Sequence, residues 1–337
     1  MRAALAIAVI VATSTSVTAV GEASRASSHP SHASDAYRVL KTMTGPDIPT
    51  TTWVGDLGWV ANRRFYFADV SNGRVDVFNT RSLRFVGDTR GFTLPSGITT
   101  VGKNIWVSNG DSTIKVIDPS TLRIRASIST HGKQRADELA WDPLDNIVMV
   151  GNSGDQPPFA SFINGRTRKV VGRLTLRDAT GLEQPIWDPG ARLLFVTVPL
   201  ARNGEILGVS PRSRRIVRTY HLGCSPSGIA LGPGQQAAVA CDTRALIIDL
   251  RRGRIVAQFP RLGGGDQVAY DGALERYYVT VASHTLASSI AVIDAVTHRS
   301  VASLKATALT HSLGVDPVNH RVFVPGSTGV VVDSPKP

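Results

Sequence analysis

The sequence is short of the features that most often disclose a function. It contains no His-Glu-x-x-His, no Gly-x-Ser-x-Gly, no P-loop and no Gly-x-Gly-x-x-Gly following a strand, which removes the motif-based zinc-peptidase, nucleophile-elbow, nucleotide and dinucleotide readings. The glycine-rich stretch LGGGDQ at 262–267 lacks the helix that a phosphate site needs. Cysteine is confined to Cys224 and Cys241. A chain of 337 residues buries about three quarters of its unfolded surface, so it does not depend on staples to fold. The apolar run Ala3 to Ala12 has ten residues, too few to span a bilayer. Negative charge is also scarce: 26 Asp and Glu stand against 37 Lys and Arg, a formal net charge of +11.

What is present begins with an export signal. Arg2 supplies the positive start, AALAIAVIVA the apolar stretch and Val17-Thr18-Ala19 a small-residue cleavage site, which predicts a signal peptide over 1–19 and a secreted protein. No cysteine follows at which a lipid anchor could be attached. Residues 20–36 (VGEASRASSHPSHASDA) have the composition of a disordered linker, with His29 and His32 as solvated side chains. An exported cationic chain invites weak association with polyanions. Yet the basic residues are scattered (Arg63-Arg64, Arg212 to Arg215, Arg251-Arg252) and no aromatic ladder interleaves them, which favours a solvated surface over dedicated nucleic-acid binding.

From residue 37 to 337 the chain is organised by repetition. Seven units of apolar strand, turn, apolar strand, loop and further strands centre on Trp59, Thr100, Trp141, Trp187, Leu231, Tyr270 and Val315, at spacings of 39 to 46 residues. Unit two reads as a four-stranded antiparallel meander: Ile98 to Val101, Ile105 to Ser108, Thr113 to Ile117 and Leu122 to Ile128, with turn residues between them. Unit seven stops after three strands, and a lone strand, Tyr37 to Thr42, precedes unit one. The economical solution is an all-β, seven-bladed β-propeller closed by that N-terminal strand, which removes the open seam of a cyclic array. Cys224 before the first strand of unit five and Cys241 at the end of its second lie across one hairpin, and in an exported protein this predicts a disulfide.

The segments IKVIDPSTLRIRASI, IAVIDAVTHRSVASL and IWVSN resemble the YVTN repeat of secreted bacterial propellers, the YncE-like class. The resemblance covers about residues 37–334 and implies the propeller fold, a secreted protein and no particular activity. Units three and four depart from the pattern through longer middle loops. The Gly-His and Trp-Asp pairs of WD40 repeats and the Gly-Gly pairs of kelch repeats are missing.

Polar residues that recur at one place in several units belong to the scaffold. Asp142, Asp188, Asp271 and Asp316 after the first strand, and Asp118, Asp249 and Asp294 after the third, are expected to cap turns. Trp141, Trp187 and Tyr270 read as wedges packing between neighbouring blades rather than as ligand stackers. The informative positions keep the register but change residue type. The pairs before each first strand are Gly55-Asp56, Ser96-Gly97, Asp137-Glu138, Glu183-Gln184, Ser227-Gly228, Asp266-Gln267 and His311-Ser312. In a propeller these converge on one end of the central channel.

Gathered acids raise one another's pKa unless something compensates. Three readings stay open for this ring: a solvated funnel, an organic-ligand site, or a metal site. The ligand reading draws on Asp137, Glu138, Gln184, Asp266 and Gln267, with Asn152, Asp155, Glu205 and His284 from the rim loops. The metal reading places a divalent cation (Ca²⁺, Mn²⁺ or Zn²⁺) on Asp137, Glu183, Asp266 and His311. The functional expectation is an exported, monomeric propeller binding a small ligand or extracellular partner at an acidic, His-containing mouth. One alternative is a lactonase-like hydrolase or lyase in which Glu183 helps to hold the cation and His311 is general base. The other is a cationic cell-surface adhesin.

Overall fold

A computed structural model describes residues 36–45, 55–199, 203–282, 288–308 and 310–336. The expected signal peptide, the linker up to residue 35 and His284 lie outside the described residues. The rest forms seven four-stranded antiparallel sheets arranged as the blades of a ring. Their innermost strands are Gly58–Ala61, Pro95–Val101, Leu139–Asp142, Pro185–Asp188, Pro226–Leu231, Val268–Asp271 and Gly314–Asp316. In blades 1 to 6 the strands follow chain order outwards. Blade 7 is completed by Tyr37–Met43, which pairs antiparallel with Gly329–Pro335 from Tyr37 opposite Pro335 to Met43 opposite Val330.

The burial pattern explains why the repeat reads so clearly. Second strands such as Ile147–Asn152 are buried at every residue, because both faces meet neighbouring blades. Outermost strands such as Arg123–Ser129 alternate exposed and covered side chains and carry much of the positive charge. The core is accordingly distributed over seven inter-blade clusters. One joins blades 3 and 4 through Met149, Phe162, Leu194 and Val196. Another seals the ring between blades 7 and 1, where Phe65 stacks on Phe323 with centroids 5.1 Å apart.

The recurring aspartates are spent on turns. Asp142, Asp188, Asp271 and Asp316 each accept a backbone N–H two residues on, at 2.8 to 3.0 Å. Asp118, Asp249 and Asp294 do the same after the third strand. The Cys224–Cys241 disulfide is formed across the blade 5 hairpin, with Cα atoms 5.9 Å apart. In blade 1 a buried charge cluster interrupts the apolar packing. Arg74, 2% exposed, faces Asp69 at 3.1 Å, Asp76 at 2.9 Å and Asp88 at 3.4 Å.

Candidate functional site at the channel mouth

The segments leading into the inner strands are pinned to the second strand of their own blade. Asp137 N–H donates to Gly151 O at 2.7 Å, Asp56 N–H to Ala68 O at 2.8 Å and Glu183 N–H to Thr197 O at 2.9 Å. Asp266 N–H donates to Thr280 Oγ1 at 2.8 Å. The two Ser-Gly pairs serve their neighbours. A Cβ on Gly97 would lie 2.6 Å from Glu138 Cα and 2.8 Å from Asp137 O, and one on Gly228 would lie 2.5 Å from Asp266 O. The room left by these glycines is filled by the backbone that carries the acids of the following blade. The same pairs bulge the inner strands of blades 2 and 5, so blade 2's first strand begins at Pro95 rather than at the expected Ile98.

Two groups of ligating atoms result, and they share one residue. Asp56, Asp266 and His311 each bring such an atom within 4.8 Å of the other two, and so do Glu138, Glu183 and Asp266. Asp137 belongs to neither group: its carboxylate accepts from Arg135 Nη2 at 2.7 Å. The same guanidinium nitrogen binds Asp56, and Arg135 Nε donates to Ser96 Oγ at 3.0 Å. Asp56, Asp266, His311, Ser96 and Arg135 surround a pocket of about 260 Å³ that opens the mouth.

The electrostatics follow from five acids facing one arginine. Burial, reinforced by Asp56, raises Asp266 to about 6, although His311 and Arg135 pull it down. Burial and the charge of Asp266 bring Glu183 to about 7. Glu138 is pushed well above the carboxylate range by burial and then by Asp137, Asp266 and Glu183. Asp137 is raised as well, burial outweighing the attraction of Arg135. Burial and mutual repulsion thus raise four of the five acids, Asp137, Glu138, Glu183 and Asp266.

Behind the acids runs the channel, a cavity of about 410 Å³ lined by the inner strands of all seven blades. Gln184 and Gln267 lie on its wall, where their amides bond to backbone. Gln184 Oε1 accepts from Ile229 N–H at 3.1 Å and Val268 N–H at 3.3 Å. Gln267 Oε1 accepts from Leu313 N–H at 2.9 Å and Gly58 N–H at 3.2 Å, and its Nε2 donates to Gly58 O at 2.8 Å. Each ties its own blade to others. Trp141, Trp187 and Tyr270 pack against inter-blade clusters, as expected of wedges. They also line the channel together with Trp59, a role that the wedge reading omits.

The rim residues divide. Asn152 is fully buried, accepting from Thr130 Oγ1 at 2.5 Å and donating to Ser161 Oγ at 3.1 Å. Asp155 accepts the backbone N–H groups of Lys133 and Gln134 at 3.0 to 3.2 Å. Both therefore shape the loop that delivers Arg135. Glu205 stands apart from the mouth, 3.0 Å from His221 and beside a separate groove with Arg177 and Asp178. Sequence reasoning missed Arg135, whose signal was its place two residues before Asp137. It named Asp56 in the ring without carrying it into the metal set.

No family model matches the sequence, and no curated protein matches it. Among solved structures, a chain titled Kuenenia stuttgartiensis hydrazine synthase is similar, with a TM-score of 0.73 at 14% identity, covering 87% of this chain and 98% of that one. At this identity the likeness supports the propeller fold alone.

Proposed function

We propose that this chain is an exported propeller of the YVTN-repeat type that binds a small cationic ligand or a divalent metal ion at its acidic channel mouth. The observation that carries the reading is the pair of three-residue groups sharing Asp266, set against the single guanidinium of Arg135. Export is supported by the disulfide, which suits an oxidising destination. The donor sets are chemically distinct. Asp56, Asp266 and His311 suit Mn²⁺ or Zn²⁺, while the all-carboxylate group suits Ca²⁺.

Elemental analysis and thermal shift with Ca²⁺, Mn²⁺ and Zn²⁺ test the metal form of the proposal. One ion per chain and a raised melting temperature are expected, with affinity at least about tenfold weaker for Ca²⁺ in Glu183→Ala and for Mn²⁺ or Zn²⁺ in His311→Ala, a loss of about 1.4 kcal/mol. Because Asp266 and Glu183 titrate near 6 and 7, binding should release protons and tighten from about pH 5 to about pH 8. Absence of bound metal, with no shift from any of the three ions or from small organic ammonium ions, would exclude the mouth as a cation site.

A hydrolase or lyase reading uses the same residues, with His311 as general base for a substrate held by the cation. What favours it is the position of His311 beside Asp56 and Asp266. Lactone turnover that depends on added metal and disappears in His311→Ala would establish it.

A further inference from the structure

The channel behind the mouth has the composition of a ligand pocket in its own right. Its volume of about 410 Å³ falls in the range of small-molecule sites. The inner strands form its wall, with Ile98, Leu139, Val268, Leu313 and Val315 reaching it from the inter-blade cores in which they are buried. The far end of the inner strands is aromatic: Trp59, Trp141, Trp187 and Tyr270 line it, each only partly buried and so open to solvent. At the inner end stands one carboxylate, Glu138. It is 4% exposed, lines the cavity, and has no hydrogen-bond or ion-pair partner among the described residues.

The other polar groups on this wall are already committed. Gln184 and Gln267 spend their amides on backbone. Arg135, the cation of the mouth, is bound to Asp56 and Asp137 and does not line the channel. Burial and then the neighbouring acids push Glu138 towards its protonated form, and nothing on the channel wall favours its charge. A ligand bearing one positive charge would.

We infer that the channel is a second binding site, for an organic monoamine whose ammonium group pairs with Glu138 and whose apolar or aromatic body fills the channel towards the ring of Trp59, Trp141, Trp187 and Tyr270. Three residues of strand separate Glu138 from Trp141, a depth of about 10 Å at about 3.3 Å per residue. An arylalkyl amine of that length places its charge at the carboxylate and its ring among the indoles, where stacking adds to the area buried. A carboxylate on the ligand has no cation to meet on the channel wall, and a charge at the ligand's far end would lie among the aromatic residues, away from Glu138, Glu183 and Asp266. The site therefore selects a single cationic end.

Calorimetric titration of the full chain with phenylbutylamine, its neutral analogue phenylbutanol and its anionic analogue phenylbutyrate tests this. The amine is expected to bind one to one, the alcohol at least about tenfold more weakly, and the acid not at all. Glu138→Gln should lower the amine to the level of the alcohol while leaving the alcohol unchanged. Ala269→Leu, which fills the channel without touching the acid, should weaken both, and it keeps the test decisive if Glu138→Gln fails to fold. His311→Ala, which alters only the mouth, should leave amine affinity unchanged. Equal binding of amine and alcohol, an amine affinity indifferent to Glu138→Gln or Ala269→Leu, loss of amine binding in His311→Ala, or no amine binding would each overturn the inference. Glu138 also belongs to the all-carboxylate group of the mouth. The mouth reading is therefore tested by metal titration of Asp56→Ala and His311→Ala, which leave Glu138 in place and keep the two outcomes distinguishable.

Discussion

Asp76 shows how strongly position decides the chemistry of a side chain in this molecule. It shares Arg74 with Asp69 and Asp88, and burial, followed by the charge of Asp69, raises it to about 8. The folded protein therefore keeps a proton on Asp76 at pH values where the unfolded chain, with an ordinary pKa near 3.8, has released it. The stability that goes with this proton is complete below about pH 4 and is lost as pH rises through about 8. Glu183 and Asp266 act with the same sign. Asp76→Asn is expected to shrink the difference between denaturation midpoints measured at about pH 5 and about pH 8. An unchanged difference would show that the cluster does not titrate as described. Little of this was legible beforehand. The strand Arg74–Asn79 alternates charged and apolar residues and reads as half-exposed, but it is covered on both faces, so its charges are internal. Arg135 escaped notice for the related reason that a surface-type residue in a loop becomes a site residue only once the ring brings Asp56 and Asp137 to it.

At the scale of the element, strands and turns were the readable part. Apolar strands alternating with turns gave the seven unit centres and the four strands of unit two, and the turn aspartates behave as their recurrence implies. Even the ring of lead-in pairs followed from register. What register does not carry is direction. It cannot say that Gln184 and Gln267 turn their amides onto backbone, that Asp137 faces an arginine while Glu138 faces the channel, or that Gly97 is a seat for the next blade. The blade 5 hairpin was legible through its two cysteines, and it supports a prediction of its own. With the bond linking residues 17 apart in sequence, removing it should cost about 3 kcal/mol by the loop-entropy estimate. Both sulfurs are covered, at 7% and 0% exposure, so a Cys224→Ala, Cys241→Ala double variant changes little else. Its midpoint in urea should fall, and reduced wild type should fall with it. Equal midpoints for oxidised and reduced protein would contradict the estimate.

For the whole molecule the repeat accounts for shape, because each blade buries its faces only against the next. Closure departs from the repeat, because it joins the two ends of the propeller in one blade. Removing residues 37–43 would expose the edge of Gly329–Pro335 and leave the Phe65–Phe323 seam, with the bonds of Asn319 and Arg321 to the backbone of Thr80 and Arg81, to hold blades 7 and 1. Such a variant is expected to melt at a lower temperature and to self-associate in size-exclusion chromatography. A monomer of unchanged melting temperature would mean that the seam suffices without the strand.

The pairing of Tyr37–Met43 with Gly329–Pro335 also imposes a timetable. The strand that finishes the ring is made before the blades it joins, and its partner is made after nearly all of them. During synthesis, that early strand must wait, unpaired, while the other blades assemble in turn. Ring closure thus becomes a report that the last strand has arrived. A chain interrupted before Gly329 would present an open edge that quality-control proteases and chaperones can recognise, however well its earlier blades have packed.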